Sequence, residues 1–266
     1  MLEHNRPLDT RLPAMLKSGE RLRGIFNGLP SPAIVEMCGY AGFDFVVLDN
    51  EHGSADLQLT EHMLRAARAS AIPAIVRCFE ADIARILDMG ASGVKVPMVN
   101  TAAQARALVQ RVRYPWPTGQ SGGGQRGVAF SSRAAGYGAF GGSSHTARSN
   151  EGVALVVMLE TPQALENAAE IAGVPGVDAV FIGPNDLSHS MGYGPDWSAP
   201  AVQSLIERGL RAISGAGGCG GMLAMSEEEE ERYAAWGARY FATVSTALIT
   251  RAFGEAASHA CRKLAY

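Results

Sequence analysis

The segment AGFDFVVLDNEHG, residues 41–53, contains the structural unit that the rest of the chain repeats. The run from Phe43 to Leu48, apolar except for Asp44, is followed at once by polar and small residues from Asp49 to Gly53. Apolar residues at successive positions, rather than alternating ones, are typical of parallel strands that are buried on both faces. The segment therefore predicts a central parallel strand whose carboxyl end carries polar side chains.

The same pattern recurs along the chain, and amphipathic segments separate the apolar runs. The predicted strands are Arg23–Asn27, Phe43–Leu48, Ala74–Arg77, Gly93–Met98, Ala154–Leu159, Ala179–Ile182, Gly220–Leu223 and Arg239–Val244. The predicted helices include Leu57–Ala69, Ala102–Val112, Pro162–Ala172, Ala201–Ala216, Ser226–Trp236 and Ala247–Ala257. Eight strand–helix units predict an α/β fold, a single (β/α)8 TIM barrel over residues 1–266, with residues 1–20 as an N-terminal extension or helix.

One stretch interrupts this alternation. Residues 114–152 are rich in Gly, Ser and aromatic residues and have little regular period, except around residues 131–139. Long segments of this kind in compact domains are usually functional or mobile. We therefore expect them to form a long βα excursion close to the active site.

Composition narrows the classes of function. The net charge of −3 gives no basic excess for nucleic-acid phosphates, and 47% hydrophobic residues are enough for a large core. The longest apolar run, residues 153–159, is far shorter than the roughly 20 residues that span a bilayer. The four cysteines form no CxxC pair, which indicates reduced thiols. We expect a cytoplasmic protein with a small-molecule partner, and no nucleic-acid or membrane partner.

Two acids follow neighbouring predicted strands. Glu160 comes directly after the fifth strand, and Asp186 lies just past the sixth. In a TIM barrel both would reach the active-site mouth, where two carboxylates repel each other unless a cation or a proton lies between them. The pair predicts a divalent metal site, with Mg²⁺ or Mn²⁺ as the best match and Co²⁺, Ni²⁺ or Zn²⁺ as alternatives. Either acid taken alone could instead be a helix cap or a salt-bridge partner.

Two basic side chains are expected at the same mouth. Arg77 ends the third strand, where it could bind a substrate carboxylate or stabilise an enolate oxygen, or could simply pair with Asp49 or Glu51. His52 lies just past these acids and is a candidate general base, although a structural hydrogen bond is the alternative.

The segment Gly183-Pro184-Asn185-Asp186 leads into a predicted turn or short helix. Its backbone N–H groups could bind a small carboxylate beside the metal. A Schiff-base mechanism has less support, because Lys95 is the one lysine in a predicted strand and lies before Pro97 rather than at an obvious mouth position.

These motifs resemble the HpcH/HpaI family of metal-dependent aldolases. The matching stretches are AGFDFVVLDNEHG (41–53), IVR (75–77), ILDMGASGVKVPMVNTAAQA (86–105), RYP (113–115), LETPQALEN (159–167) and GVDAVFIGPNDLS (176–188). They cover most of residues 20–250 in the family's order. The resemblance implies a retro-aldol cleavage of a 4-hydroxy-2-keto acid to pyruvate and an aldehyde.

The resemblance also assigns roles to the site residues. It implies that Glu160 and Asp186 ligate the metal, and that Arg77 contacts the keto oxygen of pyruvate and stabilises its enolate. The pyruvate carboxylate would bind at the backbone of Gly183–Asp186. Asp49 would be the acid near the metal-bound water.

His52 would serve through water as part of the base, and the resemblance pairs it with Asp88 of a neighbouring subunit. Family members are typically hexamers, trimers of dimers, in which the last helix is exchanged between partners. The resemblance therefore predicts a homo-oligomer in which a second copy contributes to the site.

The sequence departs from the family pattern at four places. Met158 stands where many members have Gln, Phe26 replaces a Trp, the segment 78–87 is shorter, and the loop 116–125 is longer and rich in glycine. Because we expect this loop to border the site, these differences predict a change in aldehyde preference. The alternative functions are a malyl- or citramalyl-CoA type lyase, for which no basic cluster for CoA phosphates is evident, and a keto-acid-binding barrel without catalysis.

Overall fold

A computed structural model describes residues 6–115 and 123–258 of the chain. Eight parallel strands close into one barrel in sequence order, which confirms the predicted TIM barrel. The strands are β1 Leu22–Asn27, β2 Phe45–Asp49, β3 Ala74–Arg77, β4 Gly93–Val96, β5 Ala154–Leu159, β6 Ala179–Ile182, β7 Gly220–Leu223 and β8 Ala238–Val244. The helices are α1 Leu12–Lys17, α2 Pro32–Tyr40, α3 Leu57–Ala69, α4 Ile83–Asp88, α5 Ala102–Val112, α6 Ser143–Gly152, α7 Pro162–Glu166, α8 Ala168–Ala172, α9 Pro184–Ser190, α10 Pro200–Gly215, α11 Glu227–Ala235 and α12 Ser245–Ser258.

The predicted strands and the observed ones differ mainly at two ends. β2 begins at Phe45 rather than Phe43, because the Asp44 carboxylate accepts a hydrogen bond from the Arg23 backbone N–H in the turn before the strand. β4 ends at Val96 rather than Met98, because Pro97 has no N–H for the ladder and Met98 has a left-handed φ of 58°.

Two apolar clusters pack against the strands, one on each face of the barrel sheet. One lies between the barrel and its outer helices, and the other fills the barrel interior with side chains such as Phe45, Ile75 and Phe181. Leu12 and Leu16 of α1 belong to this interior cluster. Within the predicted N-terminal extension, α1 therefore packs against the inside of the barrel.

Of residues 114–152, the described ones, 114–115 and 123–152, lie at the opposite end of the barrel from the one we expected. They follow α5 and lead into β5, so they form an αβ connection, and such connections lie at the amino ends of the strands. Arg113 donates to the Val153 carbonyl and pairs with Asp178, which precedes β6. The expected βα excursion is therefore an αβ connection, and its proximity to an active site stays a prediction.

The excursion also contains more helix than its composition suggested. α6 covers Ser143–Gly152 and contacts α1, and a 3₁₀ turn covers Gly136–Gly138 inside the stretch 131–139. Of the glycine-rich loop 116–125, residues 116–122 lie outside the described part of the chain.

One predicted helix near the site is divided in two, and the last described helix is largely uncovered. The predicted helix Pro162–Ala172 is divided at Asn167 into α7 and α8, and the Asn167 side chain bonds the Asn100 carbonyl. α12 has one buried residue, Ser245, so most of this last helix is uncovered in the single chain. Exchange of α12 between subunits stays a prediction. No helix in the ranges 6–115 and 123–258 combines the length and hydropathy needed to cross a membrane.

One buried lysine stands out in the barrel interior. Lys95 has no solvent exposure, and its Nζ has no hydrogen-bond partner among the described residues. The Nζ lies 3.1 Å from the centroid of the Phe181 ring and 4.2 Å from that of Phe26. Burial, followed by the charge of Arg77, lowers the pKa of Lys95 well below its ordinary value. Folding therefore favours the uncharged amine.

Lys95→Met should stabilise the protein more at pH 7 than at pH 10. A lysine pKa that is lower in the folded than in the unfolded state makes the wild-type free energy of unfolding rise with pH, up to about 10.4 where the unfolded chain loses its proton. Methionine removes this dependence. Urea denaturation of both proteins across this range measures the difference, and a difference that did not vary with pH would contradict the prediction.

Candidate active site

A cavity of about 490 Å³ opens at the carboxyl ends of the strands. It is lined by Phe26, Gly28, Asp49, His52, Arg77, Met158, Glu160, Phe181, Gly183, Pro184, Asn185, Asp186, Leu223, Val244 and Thr246. All the residues that the sequence assigned to the site lie here, except Asp88. The cavity is polar on the side of β2, β3 and the segments after β5 and β6, while β7 and β8 contribute apolar side chains.

Arg77 occupies a fixed position at the edge of this cavity. It ends β3 and is paired in register with Asp49, the last residue of β2. Its Nε donates to Asp49 Oδ1 at 2.9 Å and its Nη2 to Asp49 Oδ2 at 2.6 Å, while Nη1 lies 3.2 Å from Glu51 Oε2. Arg77 therefore forms the ion pair and also lines the cavity, because the two acids hold its guanidinium at the cavity edge.

Asp49 is ionised by these contacts. Its burial opposes ionisation, but hydrogen bonds from Arg77 and from the backbone N–H groups of Glu51 and His52 outweigh that cost. The pKa of the Asp49 carboxyl is therefore held below its ordinary value. These bonds also shape the turn that carries His52.

His52 is the most accessible of the candidate catalytic groups. Its side chain is 64% exposed, and Nε2 lies 3.9 Å from Glu51 Oε2. This position at the cavity edge leaves the imidazole open to substrate or water, as a general base requires. Glu51 is the one acid among the described residues that forms an ion pair with His52.

Glu160 is the most buried acid at the site, with 2% exposure. Its Oε2 accepts a hydrogen bond of 2.7 Å from the Met98 backbone N–H. Burial raises the pKa of Glu160 to about 7, and the charges of Asp186 and Glu51 act in the same direction against the opposing effect of the Met98 bond. A neighbouring cation would remove this electrostatic cost.

Gly183 allows Glu160 to lie where it does. A Cβ atom at position 183 would come within 2.6 Å of Glu160 Oε1 and 2.7 Å of its Cγ. The next residue, Pro184, begins α9, and Asp186 lies in the first turn of this helix. The packing of the Gly183 backbone on Glu160 thus joins the ends of β5 and β6.

The donor set fits a hard divalent cation. Glu160 and Asp186 supply only oxygen ligands, and the cavity has room for water or substrate oxygens, which Mg²⁺ and Mn²⁺ accept. Over residues 6–115 and 123–258, no group of three or more His, Cys, Asp or Glu side chains is arranged to hold a metal ion. A cation here would therefore depend on two carboxylates and on non-protein oxygens.

Asp88 lies far from these residues within one chain. It ends α4 at the amino end of the barrel, where its Oδ1 accepts a 2.6 Å hydrogen bond from Arg126 Nη2. Arg126 has a fully buried side chain, and the Ala134 backbone N–H donates to the Asp88 carbonyl. Pairing between Asp88 and His52 stays a prediction about two copies of the chain.

Sequence reasoning missed two contributors to the site. Glu51 was considered only as an ion-pair partner of Arg77, yet its charge also acts on Glu160. The Met98 backbone N–H lies within the motif VPMVNT, and a backbone donor has no residue-type signal. The proline before Met98 was the one available sign that the strand ends early.

The sequence profile of the HpcH/HpaI aldolase/citrate lyase family matches residues 22–249. The chain belongs to this family. The resemblance seen in the sequence motifs is therefore confirmed, and the match covers every strand of the barrel.

Relatives named as aldolases match this chain over most of its length. A hydroxypyruvate/pyruvate aldolase from Delftia acidovorans is 40% identical over 232 residues, which are 86% of this chain and 84% of that protein. A 2-keto-3-deoxy-L-rhamnonate aldolase from Klebsiella pneumoniae is 39% identical over 241 residues, 89% of this chain and 88% of the relative. The crystal structure of an HpcH/HpaI aldolase/citrate lyase family protein from Burkholderia cenocepacia is 31% identical with a TM-score of 0.87, covering 94% of this chain and 99% of that one.

Gly183→Ala should displace the Glu160 carboxylate. The added methyl group would overlap Oε1 and Cγ, so the side chain must rotate and give up its bond to Met98. A crystal structure of the variant measures the displacement. Gly28→Ala is the matched control in the same cavity, because its Cβ would meet only Asp49 Oδ2, at 4.0 Å. An unmoved Glu160 in Gly183→Ala would contradict the prediction.

In the absence of metal, Glu160 should make the protein less stable as the pH rises from about 4.5 to 7. A carboxyl pKa raised in the folded state gives stability below the unfolded pKa that is lost as the pH rises through the folded one. Relative to Glu160→Gln, which cannot ionise, the wild-type free energy of unfolding should fall by about 3 kcal/mol, given a folded pKa of about 7. Denaturation in EDTA at several pH values measures this change, and parallel curves for the two proteins would refute it.

Proposed function

We propose that the chain is a divalent-metal-dependent aldolase that cleaves a 4-hydroxy-2-keto acid to pyruvate and an aldehyde, and that also catalyses the reverse addition. The observation that carries the proposal is the meeting of Glu160, Asp186 and Arg77 in one cavity. The names of the relatives from Delftia acidovorans and Klebsiella pneumoniae, both aldolases, support the same reaction class.

Glu160 and Asp186 are the proposed metal ligands, with Mg²⁺ or Mn²⁺ as the cation. A bound divalent cation supplies Lewis-acid withdrawal of electrons from the 2-keto group. The protein's own part is to hold two acids at one cavity. Burial, with a smaller contribution from the charge of Asp186, raises the pKa of Glu160, so ionising it there is costly without a cation. The backbone of Gly183–Asp186 is the proposed site for the substrate carboxylate.

Arg77 is proposed to contact the keto oxygen of the substrate. As the bond between C3 and C4 breaks, charge develops on this oxygen, and a preorganised guanidinium stabilises it without reorganisation. The two hydrogen bonds to Asp49 and the contact with Glu51 fix the orientation of the guanidinium before substrate binds. Asp49 thus serves the reaction by holding Arg77, and it is also the proposed acid near the metal-bound water.

His52 is proposed to take up the 4-hydroxyl proton through water, as part of the base. Its exposed imidazole at the cavity edge supports this role. We propose that Asp88 of a second copy pairs with it, in a homo-oligomer that is a hexamer built as a trimer of dimers. The uncovered surface of α12 supports assembly, because apolar side chains such as Phe253, 71% exposed, lack packing in the single chain.

The proposed partners are a small 2-keto acid and an aldehyde, in the cytoplasm. Met158, Leu223 and Val244 line the cavity next to the polar groups. They can exclude water from the enolate, which would otherwise be protonated rather than react with an aldehyde.

Pyruvate release from 4-hydroxy-2-keto acids should require a divalent cation. EDTA, Glu160→Ala and Asp186→Ala should each abolish turnover by removing the metal, whereas Arg77→Ala should lower kcat at least a hundredfold with metal still bound, because loss of one donor to a developing oxyanion costs about 10²–10³ in rate. A coupled assay for pyruvate and titration with Mn²⁺ measure the two effects. Cleavage that survived EDTA would refute the metal-dependent mechanism, and a wild type that bound Mn²⁺ but released no pyruvate from any donor would favour a non-catalytic barrel.

A further inference from the structure

The turn after β4 adopts an unusual backbone conformation. Met98 has φ = 58°, in the left-handed region that residues with a side chain rarely adopt. Its side chain is 49% exposed, so tight burial of the methionine does not explain this conformation. Such strain persists only where surrounding contacts impose it, and it concentrates at functional sites. In this conformation the Met98 backbone N–H donates a hydrogen bond to Glu160 Oε2.

Asn100 holds this turn in place. Its Nδ2 donates to the Met98 carbonyl at 3.1 Å, while its own backbone N–H donates to Gln104 Oε1 at 2.7 Å. The second bond anchors Asn100 to the start of α5, where Thr101 and Gln104 form a capping box. The Met98 peptide is therefore tied to a helix end through one side chain.

Asn100 is also tied to the segment that carries Glu160. The hydroxyl of Thr161, the residue after Glu160, donates to Asn100 Oδ1. The Asn167 side chain, at the division between α7 and α8, donates to the Asn100 carbonyl at 2.8 Å. A single asparagine thus links the end of β4, the end of β5 and the helices that follow β5.

We propose that Asn100 is a positioning residue for metal binding, which holds Met98 in its left-handed conformation so that the Met98 N–H fixes one oxygen of the Glu160 carboxylate. The inference rests on the proposed function, in which Glu160 is a metal ligand. A carboxylate that is already oriented loses less rotational freedom when it binds a cation. Groups that orient metal ligands typically change metal affinity by 10- to 100-fold when they are removed.

The role belongs to the Asn100 side chain and the Met98 backbone, and the thioether is not involved. Met98→Gly keeps the N–H and adopts a positive φ without strain, so it should retain metal affinity. Asn100→Ala removes the bond to the Met98 carbonyl and the acceptor for Thr161, so the turn can relax and withdraw the N–H from Glu160. Met98→Gly therefore tests the methionine side chain alone, whereas Asn100→Ala tests the hydrogen bonds that hold the turn.

The test is the dissociation constant for Mn²⁺, measured by titration calorimetry and by the electron paramagnetic resonance spectrum of the bound ion. Asn100→Ala should bind Mn²⁺ at least tenfold more weakly than wild type, and Met98→Gly within about threefold, as no ligand-orienting bond is lost. Asn150→Ala is the control for general destabilisation. It removes a buried asparagine whose side chain bonds both backbone groups of Tyr114 at the amino end of the barrel, and it should bind Mn²⁺ like wild type.

Thr161→Val is a second variant, which tests the same link if Asn100→Ala does not fold. It removes the hydroxyl that donates to Asn100 and should weaken Mn²⁺ binding in the same direction. Wild-type affinity in Asn100→Ala, or in Thr161→Val where Asn100→Ala does not fold, would overturn the inference and leave the proposed function standing. An equal loss of affinity in Asn150→Ala would also overturn it. A wild-type protein that bound no Mn²⁺ would instead overturn the proposed function.

Discussion

The burial of Glu160 beside a second acid is the electrostatic constraint on which the site depends. A carboxylate with 2% exposure has lost most of its hydration, and Asp186 and Glu51 add further repulsion. The fold accepts this cost because the Met98 N–H and Arg77 offset part of it, and because a glycine at position 183 lets the backbone approach the carboxylate closely. A cation bound between the two acids, as proposed, would remove the remaining repulsion.

The two ends of the barrel carry different parts of the proposed machinery. The carboxyl ends of the strands bring together the acids, Arg77 and His52 in one cavity. The amino ends carry α1, the described part of the excursion (114–115 and 123–152) and Asp88, which forms an ion pair with Arg126. In an oligomer, the amino end of one copy could supply Asp88 to the carboxyl end of another, and the excursion would then approach a neighbour's site instead of its own.

Sequence patterns located the core elements well and the connections less well. The predicted bounds of β3, β5, β6 and β7 match the structure, because each is a short run of buried apolar residues between clear breaks. α6 was not predicted, since its sequence SSHTARSNEG lacks a continuous apolar stripe and its packing on α1 stabilises it instead. The excursion was placed at the wrong end because its composition resembled an active-site loop, whereas its position after α5 decides the end at which it lies.

The sequence by itself determined the eight-strand pattern, the family and the acids and bases that follow the strands, because these depend on residue type and order alone. Only the tertiary structure decided that Arg77 is held by both Asp49 and Glu51, that Asp88 lies at the far end of its own barrel, and that a strained backbone N–H orients Glu160. These features arise from contacts between segments that are 26 to 62 residues apart in the chain, and from a backbone donor that every residue except proline carries. No local pattern of residue types records such contacts.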